Sequence, residues 1–204
     1  MQRVFRVFTL ALKRFYEEIW ILAGISLLWL ALSLPLITLP PATAALFYST
    51  NRVVQGRVIK IEHFFAAFRE YFTKSWQLAA IGLGTTLVIV INLCFYALSR
   101  HELVRLIAIP FGSLLLFWLG MNVYTFPLLI AQEDKKIVLI LKNAALLTLA
   151  NPLFTFALLS LLALIILIGA FITGPFLLVS ASIIATIESQ ALATLLADLG
   201  NQEA

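Results

Sequence analysis

Charge is what this sequence lacks. Asp, Glu, Lys and Arg make up 12% of its 204 residues, and four stretches contain none: 19–51, 75–99, 106–132 and 143–187. Soluble domains carry about 25% charged and about 45–50% apolar residues, whereas 62% of this chain is apolar. Burying that surface in water needs a larger core than the chain can enclose, so lipid is the fitting solvent. A helix needs about 20 apolar residues to cross a hydrocarbon core of roughly 30 Å. Leu158–Ile168 is apolar on every face, which excludes the alternation of a membrane β-barrel and indicates helices. The expected fold is all-α, a polytopic membrane helical bundle forming one integral membrane domain over residues 1–204.

Reactive side chains are scarce as well. Cys94 is the lone cysteine, so no intramolecular disulfide or multi-thiolate metal site can form. His63 and His101 each lack a second His, Cys or paired carboxylate at ligand spacing, and no metal site is expected. Phosphate-binding glycine loops, metalloprotease motifs and nucleophile–base constellations are missing from the sequence. Neither catalytic residues nor a cofactor are therefore expected. The net charge of +4 reads as contact with anionic lipid headgroups rather than with nucleic acid.

Among the residues that are present, prolines punctuate the apolar runs. Arg3, Arg6, Lys13 and Arg14 precede the first run, and Ala42-Thr43-Ala44 resembles a small-residue cleavage site. The run from Ile19 to Leu39 is longer than a signal core and more spans follow, so an uncleaved segment is expected. Pro35, Pro40 and Pro41 break this run into a helix over Ile19–Ser33 and a shorter one over Pro41–Val54 that returns or is re-entrant. Spans are expected at about Trp76–Leu98 and Ile107–Ile130, with two more on either side of Thr173-Gly174-Pro175. If the first pair is a hairpin and the N-terminus is cytoplasmic, 12 of the 14 basic residues lie inside, leaving Arg100 and Arg105 outside. A five-span arrangement divides them 6 to 8 in either sense. The positive-inside rule selects about six membrane segments with both termini cytoplasmic.

Between the spans lie amphipathic stretches. Ile61, Phe64, Phe65, Phe68 and Phe72 share helical spacing over Lys60–Trp76, opposite Glu62, Arg69, Glu70 and Lys74. This reads as an interfacial helix on the cytoplasmic leaflet, the alternative being that its face docks a partner helix. Val4, Phe8, Leu12 and Phe15 form a similar stripe.

Three polar residues stand out in the apolar segments. Glu188 follows Pro175 by 13 residues, about 20 Å of helix. Its carboxyl is placed either below the headgroups, as a functional group, or at the cytoplasmic interface. Asn92 and Asn122 are amides that either bond across helices or line a polar substrate site. Ala181, Ala185, Ser189, Ala193 and Ala197 form a small-residue ridge at spacing four, expected to face another helix of this chain or of a second copy.

The run Ser33-Leu34-Pro35-Leu36-Ile37-Thr38-Leu39-Pro40-Pro41 through Tyr48 resembles the hairpin of the YesL-like family of small bacterial membrane proteins. Gly56 followed by Phe64-Phe65-Ala66-Ala67-Phe68-Arg69-Glu70-Tyr71-Phe72 is similar to that family's aromatic helix. Tyr124–Leu129, Leu141–Leu146 and Asn151-Pro152 follow in the family's order. The resemblance implies a bacterial plasma-membrane protein, often encoded beside carbohydrate-uptake and polysaccharide-degradation systems, and implies no reaction. The functional expectation is a non-enzymatic accessory or scaffold protein contacting lipid and a membrane transport complex. A small-solute transporter or channel is the alternative, and an intramembrane enzyme the third reading. Homo-oligomerisation is left open.

Overall fold

The computed structural model describes residues 2–171 and 175–203, and every element in them is an α-helix. In chain order these are α1 (Gln2–Glu17), α2 (Ile19–Ser33), α3 (Leu39–Val54), α4 (Ile61–Glu70), α5 (Phe72–Ala97), α6 (Glu102–Arg105), α7 (Ala108–Ala131), α8 (Ile137–Ala150), α9 (Pro152–Phe171) and α10 (Pro175–Glu203). Thr173 and Gly174 of the expected helix stop lie outside the described residues; Pro175 opens α10 at a position where its missing N–H costs nothing. Phe72–Ala97, Glu102–Ala131, Pro152–Gly169 and Ser180–Asp198 are long and apolar enough to cross a membrane. α1 and α2, bent by 92° to each other, make a fifth candidate if counted as one broken span.

α1 is amphipathic, and its apolar stripe is turned onto the protein. Val7, Ala11 and Phe15, at spacing four, are buried with Val4 and Phe8 packed beside them, and the helix lies against α10. Arg3 meets Asp198 across that contact at 3.5 Å, an exposed pair worth about 1 kcal/mol at most. α2 is apolar all round and turns back at 34–38. There Thr38 donates its hydroxyl to the carbonyls of Leu32 and Pro35, closing the turn. Pro40 and Pro41 fall in the first turn of α3, where no intrahelical donor is needed. α3 then returns beside the start of α2. At its end Gly56 adopts φ +69°, with the space a Cβ would take lying 3.6 Å from Arg14 Nη1. A residue with a side chain would be strained in that left-handed turn.

α3 and α10 form the centre of the bundle, and small residues let them approach. Ala42, Ala45 and Ser49 on α3 are fully buried, as are Ser182, Ala185 and Ser189 on α10, both sets at i, i+3, i+7. Where lipid competes for apolar surface, close packing of this kind supplies the association energy. The ridge expected at spacing four therefore faces a neighbour only in its middle. Ala185 and Ser189 are buried, Ala181 and Ala193 partly so, and Ala197 is exposed. Four residues advance slightly more than one 3.6-residue turn, so a five-member ridge of spacing four drifts around the helix.

Two expected boundaries move. The amphipathic helix expected over Lys60–Trp76 breaks at Tyr71, whose φ −93° and ψ 5° are not helical. Phe72 and Lys74 thus belong to α5. Nor do the aromatics share one outward face: Phe64 and Ala67 are buried against the protein with Tyr71, while Ile61, Phe65, Arg69 and Phe72 stay exposed and Phe68 is half-buried. The second shift is at Asn151-Pro152. Pro152 starts α9 as its first residue, so the 143–187 window also holds the end of a separate helix, α8, packed along α7.

Candidate functional site

Most hydroxyls and amides in the apolar helices are already satisfied. Ser26 on α2 bonds Ser182 on α10, and Ser182 also approaches the Leu22 carbonyl at 3.3 Å. Thr50 on α3 and Ser189 on α10 lie 3.3 Å apart. Asn92 donates Nδ2 to the Val88 carbonyl of its own helix at 2.8 Å and stands apart from the other candidate residues. Such bonds satisfy polar atoms and leave little to bind a ligand.

Glu188 differs. It lies in α10 at the floor of a groove of about 400 Å³ between α7 and α9, with Phe47 of α3 at one end. Half-buried in the bundle, Glu188 lines the groove, and among the described residues its carboxyl has neither a hydrogen bond nor an ion pair. Tyr124 is near enough to interact with it electrostatically, but the Tyr124 hydroxyl is engaged with Thr155 Oγ1 at 2.9 Å. The groove's walls are two matched stripes: Leu119, Asn122, Val123 and Phe126 on α7, and Leu159, Leu162, Ala163 and Ile166 on α9. Each stripe has the i, i+3, i+4, i+7 spacing of one helical face. Phe126 stacks on Phe47 with ring centroids 5.5 Å apart.

Asn122 is thus brought into the same groove as Glu188, on the facing wall. Its Nδ2 donates to the Trp118 carbonyl at 2.8 Å, and its Oδ1 faces Gly82 of α5. Beyond it a second groove of about 590 Å³ lies between α3, α5 and α7 and shares Leu119, Asn122, Thr125 and Phe126. Trp118 Nε1 donates to Thr86 Oγ1 there at 3.0 Å, and Thr86 passes its own proton to the Gly82 carbonyl at 2.7 Å. Trp76, in the second turn of α5, donates Nε1 to the Ile37 carbonyl at the α2–α3 tip at 2.9 Å.

A charged cluster sits at the other end of α7. Lys135 donates to the Leu129 and Ile130 carbonyls at 2.8 and 3.1 Å and places its ammonium 5.3 Å from the centre of the Tyr71 ring. Burial lowers the Lys135 pKa and raises that of Tyr71, the latter also through the neighbouring charge of Glu70. Asp134 is held below the usual carboxylate range by its hydrogen bond with Lys136, whose Nζ lies 3.0 Å away. In the sequence Lys135 is one of the 12 basic residues expected on the cytoplasmic side. The signal for its bonds to α7 is its position just beyond a helix end, where a cation meets unpaired carbonyls. Among the described residues no group of three His, Cys, Asp or Glu side chains could hold a metal ion.

The family model described as "Protein of unknown function, DUF624" matches residues 22–93. The chain is also 32% identical over 176 residues to the uncharacterized protein YteU of Bacillus subtilis (strain 168), covering 82% of this chain and 78% of that protein. No solved structure matches it.

Proposed function

We propose, for a chain that belongs to the DUF624 family of proteins of unknown function, a non-enzymatic accessory or scaffold role in the bacterial plasma membrane, in service of a carbohydrate-uptake complex. In this reading α5, α7, α9 and α10 cross the bilayer. The α2–α3 hairpin enters and leaves from the cytoplasmic side, and both termini, α4 and the 132–142 segment are cytoplasmic. Two features support the hairpin's placement. α2 and α3 have 15 and 16 residues, about 22–24 Å each against a core of roughly 30 Å. Their tip also meets α5 near its beginning, through Trp76 and Ile37.

The observation that carries the accessory reading is the state of the polar groups. Asn92, Thr86, Ser113, Ser160 and Thr148 all donate to carbonyls of their own helices. No nucleophile and base converge among the described residues, and the exterior of α5, α7 and α9 is broadly apolar. Such a surface suits lateral association rather than turnover. The test is purification of the tagged protein from native membranes under mild detergent. A carbohydrate transport complex is expected to accompany it in fixed ratio; recovery of the protein alone would overturn the reading.

A transporter is the second reading, favoured by the single groove holding both Glu188 and Asn122. Solute flux by the purified protein in liposomes, lost on Glu188→Gln, would establish it.

A further inference from the structure

We infer that the groove between α7 and α9 is a docking site for a transmembrane helix of another protein, one that carries a lysine or arginine toward Glu188. This deepens the accessory reading and rests on it. Three observations select this occupant.

The shape is that of a helix seat. Leu119, Asn122, Val123 and Phe126 on α7 and Leu159, Leu162, Ala163 and Ile166 on α9 each line the groove with one helical face, about 10 Å long. Ile184 and Glu188, one turn apart, form the floor. Among these side chains Ala163 is small and leaves room for a backbone to approach, as helix packing in lipid requires. Much of the rim is open: Ile166 is 59% and Leu119 40% exposed.

The chemistry calls for a cation. A carboxyl set among apolar side chains, with no donor or counter-ion in the described residues, is costly in lipid unless paired or protonated. A basic side chain on the incoming helix satisfies it and gains a partner for its own charge. Asn122 on the facing wall has an amide oxygen turned toward α5, so Glu188 is the group in this groove that discriminates by charge.

The partner is heterologous because this chain has no suitable helix. Residues 19–51, 75–99, 106–132 and 143–187 contain neither Lys nor Arg, so a second copy has no cation in the interior of its charge-free segments to bring into the groove.

The test reconstitutes the full chain, labelled at the exposed Cys94, in phosphatidylcholine–phosphatidylglycerol vesicles. The probe is a polyleucine transmembrane peptide with one central lysine, compared with the same peptide carrying leucine there. Energy transfer from the protein to each labelled peptide gives the half-saturating peptide:lipid ratio. The lysine peptide is expected to saturate at a ratio about ten-fold lower, since an intramembrane charge is strongly driven to a partner. Glu188→Gln is expected to erase that preference. Ala163→Trp, which fills the groove and leaves Glu188 in place, is expected to weaken the lysine peptide independently. Equal binding of both peptides by the wild-type chain, or a lysine preference that survives both substitutions, overturns the inference. So does transfer between copies of the chain that the lysine peptide cannot displace, or displacement of the peptide by dodecylammonium at equal concentration. Failure here with a transport complex still co-purifying would remove the docking site and leave the accessory reading intact.

Discussion

The ammonium of Lys135 lies 5.3 Å from the centre of the Tyr71 ring while its hydrogens reach the last carbonyls of α7. One side chain thereby ties the α7–α8 loop to the corner where α4 meets α5. A half-buried cation–π contact contributes about 1 kcal/mol, and the carbonyls it serves have no intrahelical donors. Lys135→Met keeps the length and removes the charge. It is expected to lower stability in detergent by about 1–2 kcal/mol, measured by denaturant titration. Lys136→Met, whose side chain pairs with exposed Asp134, is expected to change little.

Tyr71 supplies a prediction in pH. Burial, then the charge of Glu70, raises its pKa, so the folded chain keeps a proton that an unfolded chain releases near pH ~10. The folded state binds more protons above that pH, and the contribution of Tyr71 to stability is complete below it and declines as pH rises. The difference between the 295 nm titrations of the wild-type chain and Tyr71→Phe isolates this phenol. Its absorbance step is expected to begin well above pH ~10, and a step centred at the ordinary tyrosine value would contradict the described burial.

Gly120 is where α7 admits α8 and α9. A Cβ there would come within 2.9 Å of the Thr155 methyl and 3.1 Å of the Thr148 methyl. Neither threonine can turn away freely, since Thr155 bonds Tyr124 and Asn151, and Thr148 bonds Ala144. Gly120→Ala is expected to cost about 1–3 kcal/mol by overpacking, and Gly120→Leu to broaden or abolish the monodisperse peak in size exclusion. Gly84, with open space around it, is the control and is expected to tolerate alanine.

The α3–α10 seam makes a similar demand. Ala185 is 1% exposed on α10, which packs on α3 and, one turn on, brings Ser189 to Thr50 of that helix. Ala185→Leu is expected to separate these helices and reduce folded yield in the membrane, with about 1–3 kcal/mol lost. Ala197→Leu, at the exposed end of the same spacing-four series, is expected to express normally. Equal yields for the two would contradict the packing described.

The sequence and the structure agree most closely where local chemistry decides. The helix Ile19–Ser33 is bounded by Glu18 and the Pro35 turn, and the helix expected over Pro41–Val54 ends where α3 does. Disagreements arise where tertiary contact decides. Nothing local says that Phe64 and Tyr71 turn inward or that Tyr71 interrupts the helix, because α3 provides the surface that buries them. Pro152 did carry a start signal, but the long charge-free window concealed that two helices met there. Glu188 was conspicuous by its distance from Pro175. Its groove, however, is walled by residues near 122 and 163, and no periodicity within one segment relates stripes on separate helices.

The return of the α2–α3 hairpin to its side of entry is what orders every basic residue in this account, and it can be measured directly. In a Cys94→Ser background, single cysteines at exposed Gln55 and at Ser99 would be treated in intact cells with a membrane-impermeant maleimide; Gln55 is used because Gly56 needs its positive φ. The account predicts that the cysteine at 99 is labelled at once and the cysteine at 55 only after permeabilisation. Labelling at 55 in intact cells would contradict it.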